Sequence, residues 1–324
     1  MSNSTNNSES LTPCGKAVFT GLYSAIIVLG FFFNVVALWI FQHHIRLRSG
    51  TTVYMRNLAF ADLLLVCFLP FRIADYYHLG NTWLCEVAVI IFLINMYTSI
   101  FFLTCISLDR CVATLLPLKV RIWQLHQVAP WVSGMVWLMT MSFSLPLYIK
   151  WKVQNPNGNN RTNCLQPLLL TKRVPLNITL SLGFGIPFLV LLTCSLLALV
   201  KVRKTCGSLV KDARKTQKMI LANFLVFTFC FLPYHLLLSI YNTLIPERTG
   251  QQFFQATQLL ASSNAVLDPL VYYFTTEAFK KTHLIRTVHN MLCCRCKTGE
   301  PVPTESCVER RETYKKTSSV ELLA

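Results

Sequence analysis

The composition of this 324-residue chain is that of a membrane protein: 53% of its residues are hydrophobic and only 14% are charged, too few to cover a water-facing surface. Its formal charge of +16 would suit nucleic-acid binding, but the basic residues flank long apolar runs and form no face with stacking aromatics, so we expect no nucleic-acid partner. Most of the 13 cysteines lie singly within apolar stretches, which argues against a disulfide scaffold or a zinc site.

Seven stretches of the chain are long and apolar enough to cross a bilayer as helices, for which about 20 residues are needed. They lie at residues 17–41, 53–77, 84–116, 128–149, 176–200, 219–244 and 253–274. The polar residues before them lack the basic and apolar regions of a cleaved signal peptide, so we expect the first span to act as its own insertion signal. The sequence therefore predicts an all-α membrane protein, a seven-transmembrane helix bundle.

The distribution of basic residues sets the predicted orientation. Of the 30 Lys and Arg residues, 22 lie in the loops after spans one, three and five or in the tail, and such an excess marks the cytoplasmic side. We therefore expect a multi-pass protein of the plasma membrane with an extracellular N-terminus and a cytoplasmic C-terminus. Glycosylation sequons on the predicted outer side agree with this orientation; they begin at Asn3, Asn6 and Asn160.

The chain divides into an extracellular N-terminus (1–16), a transmembrane domain (17–276), a short amphipathic juxtamembrane helix (277–290) and a disordered cytoplasmic tail (291–324). The juxtamembrane helix is predicted because apolar residues recur at helical spacing among basic ones. Three cysteines follow it directly and are candidates for palmitoylation, with free cytosolic thiols as the alternative; they are Cys293, Cys294 and Cys296.

Several polar residues lie within the spans, where each is costly; they are Asn34, Asn57, Asp62, Asn95, Ser99, Asn264 and Asp268. Their simplest role is hydrogen bonding between helices, which contributes about 0.6 kcal/mol on average. That role does not account for two carboxylates, because a buried charge has to be paired, bound to an ion or neutralised by a proton.

Each span also carries a short motif. In chain order these are Gly30-x3-Asn34, Asn57-Leu-Ala-Phe-Ala-Asp62, Asp109-Arg110-Cys111, Trp137, Pro187, Phe231-Leu-Pro233 and Asp268-Pro269-Leu-Val-Tyr272. In this order and on these spans, the motifs resemble those of the rhodopsin-like (class A) G-protein-coupled receptors, and the resemblance covers about residues 15–290.

Four positions depart from the common class A pattern. Cys111 stands third in the Asp-Arg-Tyr triplet, Phe231 replaces a Trp, Asp268 replaces an Asn, and Ser195 stands where many receptors have a Tyr. These changes resemble the branch that holds nucleotide (purinergic) and lysophosphatidic acid receptors. The segments most similar to the lysophosphatidic acid members are Leu69-Pro-Phe-Arg72, Asn95-Met-Tyr97 and Cys230-Phe-Leu-Pro-Tyr234.

The resemblance implies a disulfide on the oxidising side of the membrane, between Cys85 at the outer start of span three and Cys164 in the loop after span four. On the inner side it implies that Asp109 restrains Arg110 at rest, and that outward movement of span six opens a cleft for a heterotrimeric G protein. Tyr272 and Lys215 are predicted to take part in this coupling, although the positive-inside signal alone would explain Lys215. Serines and threonines of the tail make receptor kinases and arrestin expected partners.

The predicted ligand pocket has a basic rim above an apolar slot, which suits an anionic amphiphile. Arg72 is the informative residue, because a guanidinium offers a planar fork of donors to phosphate or carboxylate; snorkelling to lipid headgroups or pairing with Asp75 is the alternative. Other predicted contacts, any of which could instead be structural, are Tyr76, Phe92, Met96, Lys150, Tyr234, His235, Arg248, Phe254 and Gln258. Phe92 lies where class A amine receptors carry an Asp, which disfavours amine ligands.

We therefore expect a receptor and not an enzyme, with lysophosphatidic acid or a related lysophospholipid as agonist and a nucleotide or small carboxylate metabolite as the alternative. A transporter would show repeated halves, and an intramembrane enzyme a nucleophile with a base or metal ligands at one depth; neither pattern occurs.

No cofactor is expected other than a sodium ion. If the class A architecture holds, this ion lies among Asp62, Ser99, Asn264, Asp268 and Asn34, with a hydrogen-bonded carboxylate pair as the alternative.

Overall fold

Helices account for almost all of the chain that the computed structural model describes, namely residues 13–43, 50–77, 79, 82–115, 119–154, 179–204, 210–244 and 247–275. These residues contain no strand. In chain order the elements are α1 (Pro13–His43), α2 (Gly50–Tyr76), α3 (Thr82–Leu115), α4 (Lys119–Gln154), a π-helical segment (Thr179–Gly185) that runs directly into α5 (Ile186–Lys204), α6 (Val210–Leu244), α7 (Glu247–Ser262) and α8 (Asn264–Thr275).

Six of these helical segments are long and apolar enough to cross a membrane. They are Pro13–His43, Gly50–Tyr76, Trp83–Leu115, Gln127–Pro146, Leu180–Arg203 and Ala213–Ile240. The seventh predicted span consists of two helices, α7 and α8, because the chain makes a turn at Ser263. The Ser263 N–H lies 3.1 Å from the carbonyl oxygens of both Leu259 and Leu260, so the turn keeps its hydrogen bonds.

Several helices are longer than the predicted spans. The prediction began α4 at residue 128 and α6 at residue 219, whereas the helices begin at Lys119 and Val210. Apolar length reports only the part of a helix that the hydrocarbon core requires, and basic side chains at a helix end reach the interface without breaking the backbone hydrogen bonds. The predicted fourth span, 128–149, therefore corresponds to the apolar part of α4, Gln127–Pro146, and the helix continues beyond it at both ends.

The central helix of the bundle is α3, which contacts α2, α4, α5, α6 and α7. By contrast, α4 exposes large apolar side chains to the surroundings, with Trp131 79%, Met135 66% and Leu138 63% exposed. Such a surface suits lipid tails, which are as apolar as leucine. Asn57 has the simple structural role considered above, because its Oδ1 accepts a hydrogen bond from Trp137 Nε1 at 3.0 Å and so ties α2 to α4.

The first helix approaches α2 and α8 closely at Gly30. A Cβ atom at this position would lie 3.0 Å from Val66 Cγ2 and 3.5 Å from the Ala265 carbonyl oxygen. One turn later, Asn34 Nδ2 donates to the carbonyl oxygens of Ala265, at 2.7 Å, and of Gly30, at 2.9 Å. Gly30 and Asn34 together therefore hold α1 against α8.

All described helices belong to one compact unit, Met1–Phe279. The predicted juxtamembrane helix at 277–290 and the tail at 291–324 lie outside the described residues, and the proposed boundaries of these parts stay predictions.

Candidate ligand-binding site

Arg72 points into the bundle at the end predicted to face outward. It lies on α2, two residues after Pro70, and is only 3% exposed. Its Nη2 donates to Gln258 Oε1 of α7 at 2.7 Å. The guanidinium carbon lies 5.4 Å from the ring centre of Tyr23 and 5.2 Å from that of Phe92, within cation–π range. Contacts from α1, α3 and α7 thus hold the cation away from the lipid headgroups.

Part of the hydrogen-bonding capacity at this cation is unused. Nε and Nη1 of Arg72 and Nε2 of Gln258 are buried and have no hydrogen-bond partner. A buried donor without a partner costs free energy, so a molecule that brings acceptor atoms would be favoured here. Three donor atoms without partners thus surround one positive charge.

An aromatic surface extends from this site toward α6 and α7. The ring centres of Phe92 and Tyr234 lie 6.2 Å apart, and those of Tyr234 and Phe254 lie 5.3 Å apart. Met96, four residues after Phe92 on α3, is also buried. The predicted apolar contacts are therefore buried at the same end of the bundle as the predicted anion anchor.

His235 follows Tyr234 on α6 and faces α3 and the π-helical segment. Its Nδ1 lies 2.8 Å from the Phe231 carbonyl oxygen, whereas its Nε2 is buried without a partner. The Phe184 ring, at the end of the π-helical segment, stacks on the imidazole with a centroid distance of 4.3 Å. His235 thus presents one unsatisfied nitrogen within an aromatic environment.

A polar centre lies between α2, α3 and α8. Asp62 Oδ1 accepts hydrogen bonds from Asn95 Nδ2 at 3.0 Å and from Asn264 Nδ2 at 3.4 Å. Asn264 Nδ2 also donates to Ser99 Oγ at 3.0 Å. Asp268 is fully buried on α8, and neither of its carboxylate oxygens has a hydrogen-bond partner. The structure therefore joins Asp62, Ser99 and Asn264 by direct hydrogen bonds.

Two residues of this centre differ from the sequence prediction. Asn95 is bonded directly to Asp62 but was not among the predicted site residues, although it was recognised as a polar residue within a span. Asn34 was predicted in the site, whereas both hydrogen bonds that its Nδ2 donates go to the backbone of α1 and α8. The close approach at Gly30 brings the Ala265 carbonyl within reach of Asn34 and accounts for this different role.

The opposite end of the bundle holds the predicted coupling residues. Thr51 Oγ1 of α2 donates to Asp109 Oδ2, and Arg110 Nε is buried without a hydrogen-bond partner. Nearby, Asn223 Nδ2 of α6 donates to Ser107 Oγ of α3 at 3.1 Å, and both residues are fully buried. The Asn223–Ser107 bond therefore ties α6 directly to α3 at this end.

Several predicted residues lie wholly or in part outside the described structure. Cys85 is buried at the start of α3, but its predicted partner is not described, so the disulfide stays a prediction. Lys215 lies half-buried on α6. Nothing is described of Asn3, Asn6, Asn160, Cys164, Cys293, Cys294 and Cys296, or of the side chains of Lys150, Arg248 and Tyr272.

The sequence model of the family described as 7 transmembrane receptor (rhodopsin family) matches residues 33–272. The chain belongs to this rhodopsin family of receptors. Lysophosphatidic acid receptor 6 of Gallus gallus is 32% identical over 289 residues, which cover 83% of this chain and 93% of the relative. Lysophosphatidic acid receptor 4 of Homo sapiens is 32% identical over 306 residues, with coverage of 88% and 81%. Cysteinyl leukotriene receptor 1 of Homo sapiens is 32% identical over 282 residues, with coverage of 82% and 83%.

Membership of the rhodopsin family confirms the predicted seven-transmembrane fold and the prediction of a receptor that is not an enzyme. It also places the protein among multi-pass membrane receptors that couple to G proteins. The resemblance to lysophosphatidic acid receptors is likewise confirmed, because receptors 4, 5 and 6 of that name are relatives over most of the chain.

Proposed function

We propose that this rhodopsin-family receptor is activated by lysophosphatidic acid or a closely related lysophospholipid. The observation that carries the proposal is the buried Arg72 guanidinium with two unused donor nitrogens beside an aromatic surface. A terminal phosphate supplies acceptor oxygens that match a guanidinium fork. An acyl chain would pack its apolar surface against the rings of Phe92, Tyr234 and Phe254.

The relatives support the same ligand class, since lysophosphatidic acid receptors 4, 5 and 6 are among them. A cysteinyl leukotriene is the second candidate, because a receptor of that name has the same 32% identity. The two candidates differ in their anionic groups: each carboxylate of a leukotriene has two oxygens and one negative charge, whereas the single phosphate monoester of lysophosphatidic acid has three terminal oxygens and a charge of about −1.5 to −2. The three unused donors around Arg72 favour the phosphate.

We further propose that the Arg72 end of the bundle faces the outside of the plasma membrane and that a heterotrimeric G protein binds at the Arg110 end. Outward movement of α6 would require the 3.1 Å bond between Asn223 and Ser107 to break. Receptor kinases and arrestin would act afterwards on the cytoplasmic tail.

We also propose that a sodium ion binds in the polar centre and stabilises the resting state. The centre offers buried oxygens that have no hydrogen-bond partner, namely Oδ2 of Asp62, Oδ1 of Asn264 and both carboxylate oxygens of Asp268. Oxygen ligands suit a hard cation, and two buried carboxylates need compensation for their charge. When bound, sodium would supply that positive charge, while Asn95 and Ser99 hold Asp62 and Asn264 in place.

The ligand is tested in cells that express the receptor, with G-protein activation read through calcium, cyclic AMP and Rho. The test ligands are lysophosphatidic acid, a cysteinyl leukotriene, a nucleotide and a dicarboxylate, and cells without the receptor are the control. We expect the receptor-dependent response to lysophosphatidic acid at the lowest concentration. A response to one of the other classes alone would overturn the lysophospholipid proposal and leave the receptor assignment intact.

A further inference from the structure

The imidazole of His235 packs against aromatic rings from α3, α6 and the π-helical segment. It is 2% exposed, and the Phe184 ring lies almost parallel to it, 4.3 Å away and inclined by 17°. Tyr97 and Tyr234 meet it edge-on at 6.0 and 5.2 Å. These contacts fix the plane of the imidazole, so the direction of its unpartnered Nε2 is fixed as well.

The hydrogen bond at Nδ1 determines what Nε2 can do. The partner of Nδ1 is the Phe231 carbonyl oxygen, 2.8 Å away, and a carbonyl oxygen can only accept, so the hydrogen is on Nδ1. The three rings in contact with the imidazole carry no charge, and a buried cation without an acidic partner would be costly. In the neutral tautomer with the hydrogen on Nδ1, Nε2 has a lone pair and accepts a hydrogen bond.

The stacking of Phe184 on His235 depends on the local backbone of the neighbouring helix. Phe184 belongs to the π-helical segment Thr179–Gly185, a conformation that often occurs at functional sites. Its neighbour Gly183 lies so close to Tyr97 that a Cβ atom there would be 3.0 Å from Tyr97 Cε1. Gly183 therefore lets the segment approach α3, and this approach keeps Phe184 against His235.

Arg72 and His235 are linked through two aromatic rings, Phe92 and Tyr234, and Arg72 offers hydrogen-bond donors whereas His235 offers an acceptor. Arg72 lies beside the Phe92 ring, and the Phe92 ring contacts Tyr234, which precedes His235. A ligand placed along these two rings would have the free donors of Arg72 at one end and the acceptor nitrogen of His235 at the other. An ionised phosphate or carboxylate oxygen suits the cation but has no hydrogen to give to Nε2, whereas a hydroxyl does.

We propose that His235 Nε2 accepts a hydrogen bond from a hydroxyl of the agonist, and that this contact makes the receptor selective for lysophospholipids with a free glycerol hydroxyl. The proposal rests on the proposed function, since it names a second chemical group of the same ligand. A site built to hydrogen-bond a hydroxyl discriminates strongly against an analogue without it, because the buried polar group of the site is then left unpaired.

The test compares two ligands on the unmutated receptor: oleoyl lysophosphatidic acid and its deoxy analogue, in which hydrogen replaces the free glycerol hydroxyl. We expect the analogue to be weaker by about tenfold, the scale of one buried hydrogen bond. In His235→Phe, which keeps an aromatic ring against Phe184 but has no acceptor, the two ligands should be equally potent. Gly183→Ala should also reduce the ratio of the two potencies, and Gly134→Ala, which has open space around its new Cβ, should preserve it.

Equal potency of the two ligands on the unmutated receptor would overturn the role of His235 while the proposed function stood, and this comparison does not depend on the folding of any variant. A ratio that persists in His235→Phe would assign the hydroxyl to another residue. If neither ligand activates the unmutated receptor, the proposed function fails and the inference fails with it.

Discussion

Replacement of Arg72 by glutamine is the most informative single change in the ligand site. The glutamine side chain removes the positive charge and the guanidinium fork, together with the contacts to the Tyr23 and Phe92 rings. It keeps an amide that can still form a hydrogen bond with Gln258, so the contact between α2 and α7 is retained. The variant therefore tests recognition of the ligand anion more than the stability of the bundle.

The expected loss follows from the contacts that Arg72 would make. A hydrogen bond to a charged group contributes about 1.5–3 kcal/mol, and each 1.4 kcal/mol is about a factor of ten. The agonist concentration for half-maximal response should therefore rise by about 10- to 100-fold. For Arg72→Lys, the agonist concentration for half-maximal response should lie between those of the unmutated receptor and Arg72→Gln. Lysine keeps a positive charge but loses the planar fork and the stacking of a guanidinium on aromatic rings.

The assay measures concentration–response curves for G-protein activation by lysophosphatidic acid, with receptor at the cell surface quantified by an antibody. Arg56→Gln is the matched control, because Arg56 lies on the same helix with an exposed side chain outside the ligand site. If Arg72→Gln reaches the surface normally and responds at the same agonist concentration as the unmutated receptor, Arg72 does not bind the anion.

Three further predictions concern the polar centre, the α3–α6 bond and the outer loop. Raising sodium at constant ionic strength should lower agonist affinity in the unmutated receptor but not in Asp62→Asn, as radioligand competition would show; an unmutated receptor that is indifferent to sodium contradicts the ion site. Asn223→Val should raise basal G-protein activity about threefold, since a hydrogen bond between membrane helices contributes about 0.6 kcal/mol. Ser107→Ala should do the same, with no further rise in the double variant; two independent, additive rises would exclude the bond. Cys85→Ser and Cys164→Ser should impair surface delivery equally, because each would remove one bond of about 2–4 kcal/mol, and clearly worse delivery of the double variant would exclude the pairing.

The bundle could be predicted from the sequence because a bilayer fixes the length of an apolar helix, and that length is visible along the chain. The seventh span shows the limit of this criterion. The predicted span at 253–274 is divided in the structure into two helices of 16 and 12 residues, and no sequence pattern marked the turn at Ser263 that separates them. The π-helical segment before α5 was also unpredicted, because the backbone there depends on the close contact of Gly183 with Tyr97.

The functional residues could be predicted by type but not by partner. An arginine and two carboxylates within apolar spans are conspicuous, since each needs compensation for its charge, and all three are buried in the structure. Their partners lie far away in sequence: Gln258 is 186 residues from Arg72 and bonds to it only because α7 packs near α2. Tyr23 gave no signal at all, because a tyrosine on the first span looks like any other aromatic residue in a membrane helix.

The most direct test of the account uses the purified receptor in lipid nanodiscs with purified heterotrimeric G proteins, and measures nucleotide exchange on the Gα subunit. We predict that oleoyl lysophosphatidic acid accelerates exchange on at least one G-protein subtype, and that the same preparation of Arg72→Gln requires a concentration about 10- to 100-fold higher. The absence of lysophosphatidic acid-dependent exchange with every subtype, from receptor that is shown to be folded, would contradict the proposal that this chain is a lysophospholipid receptor.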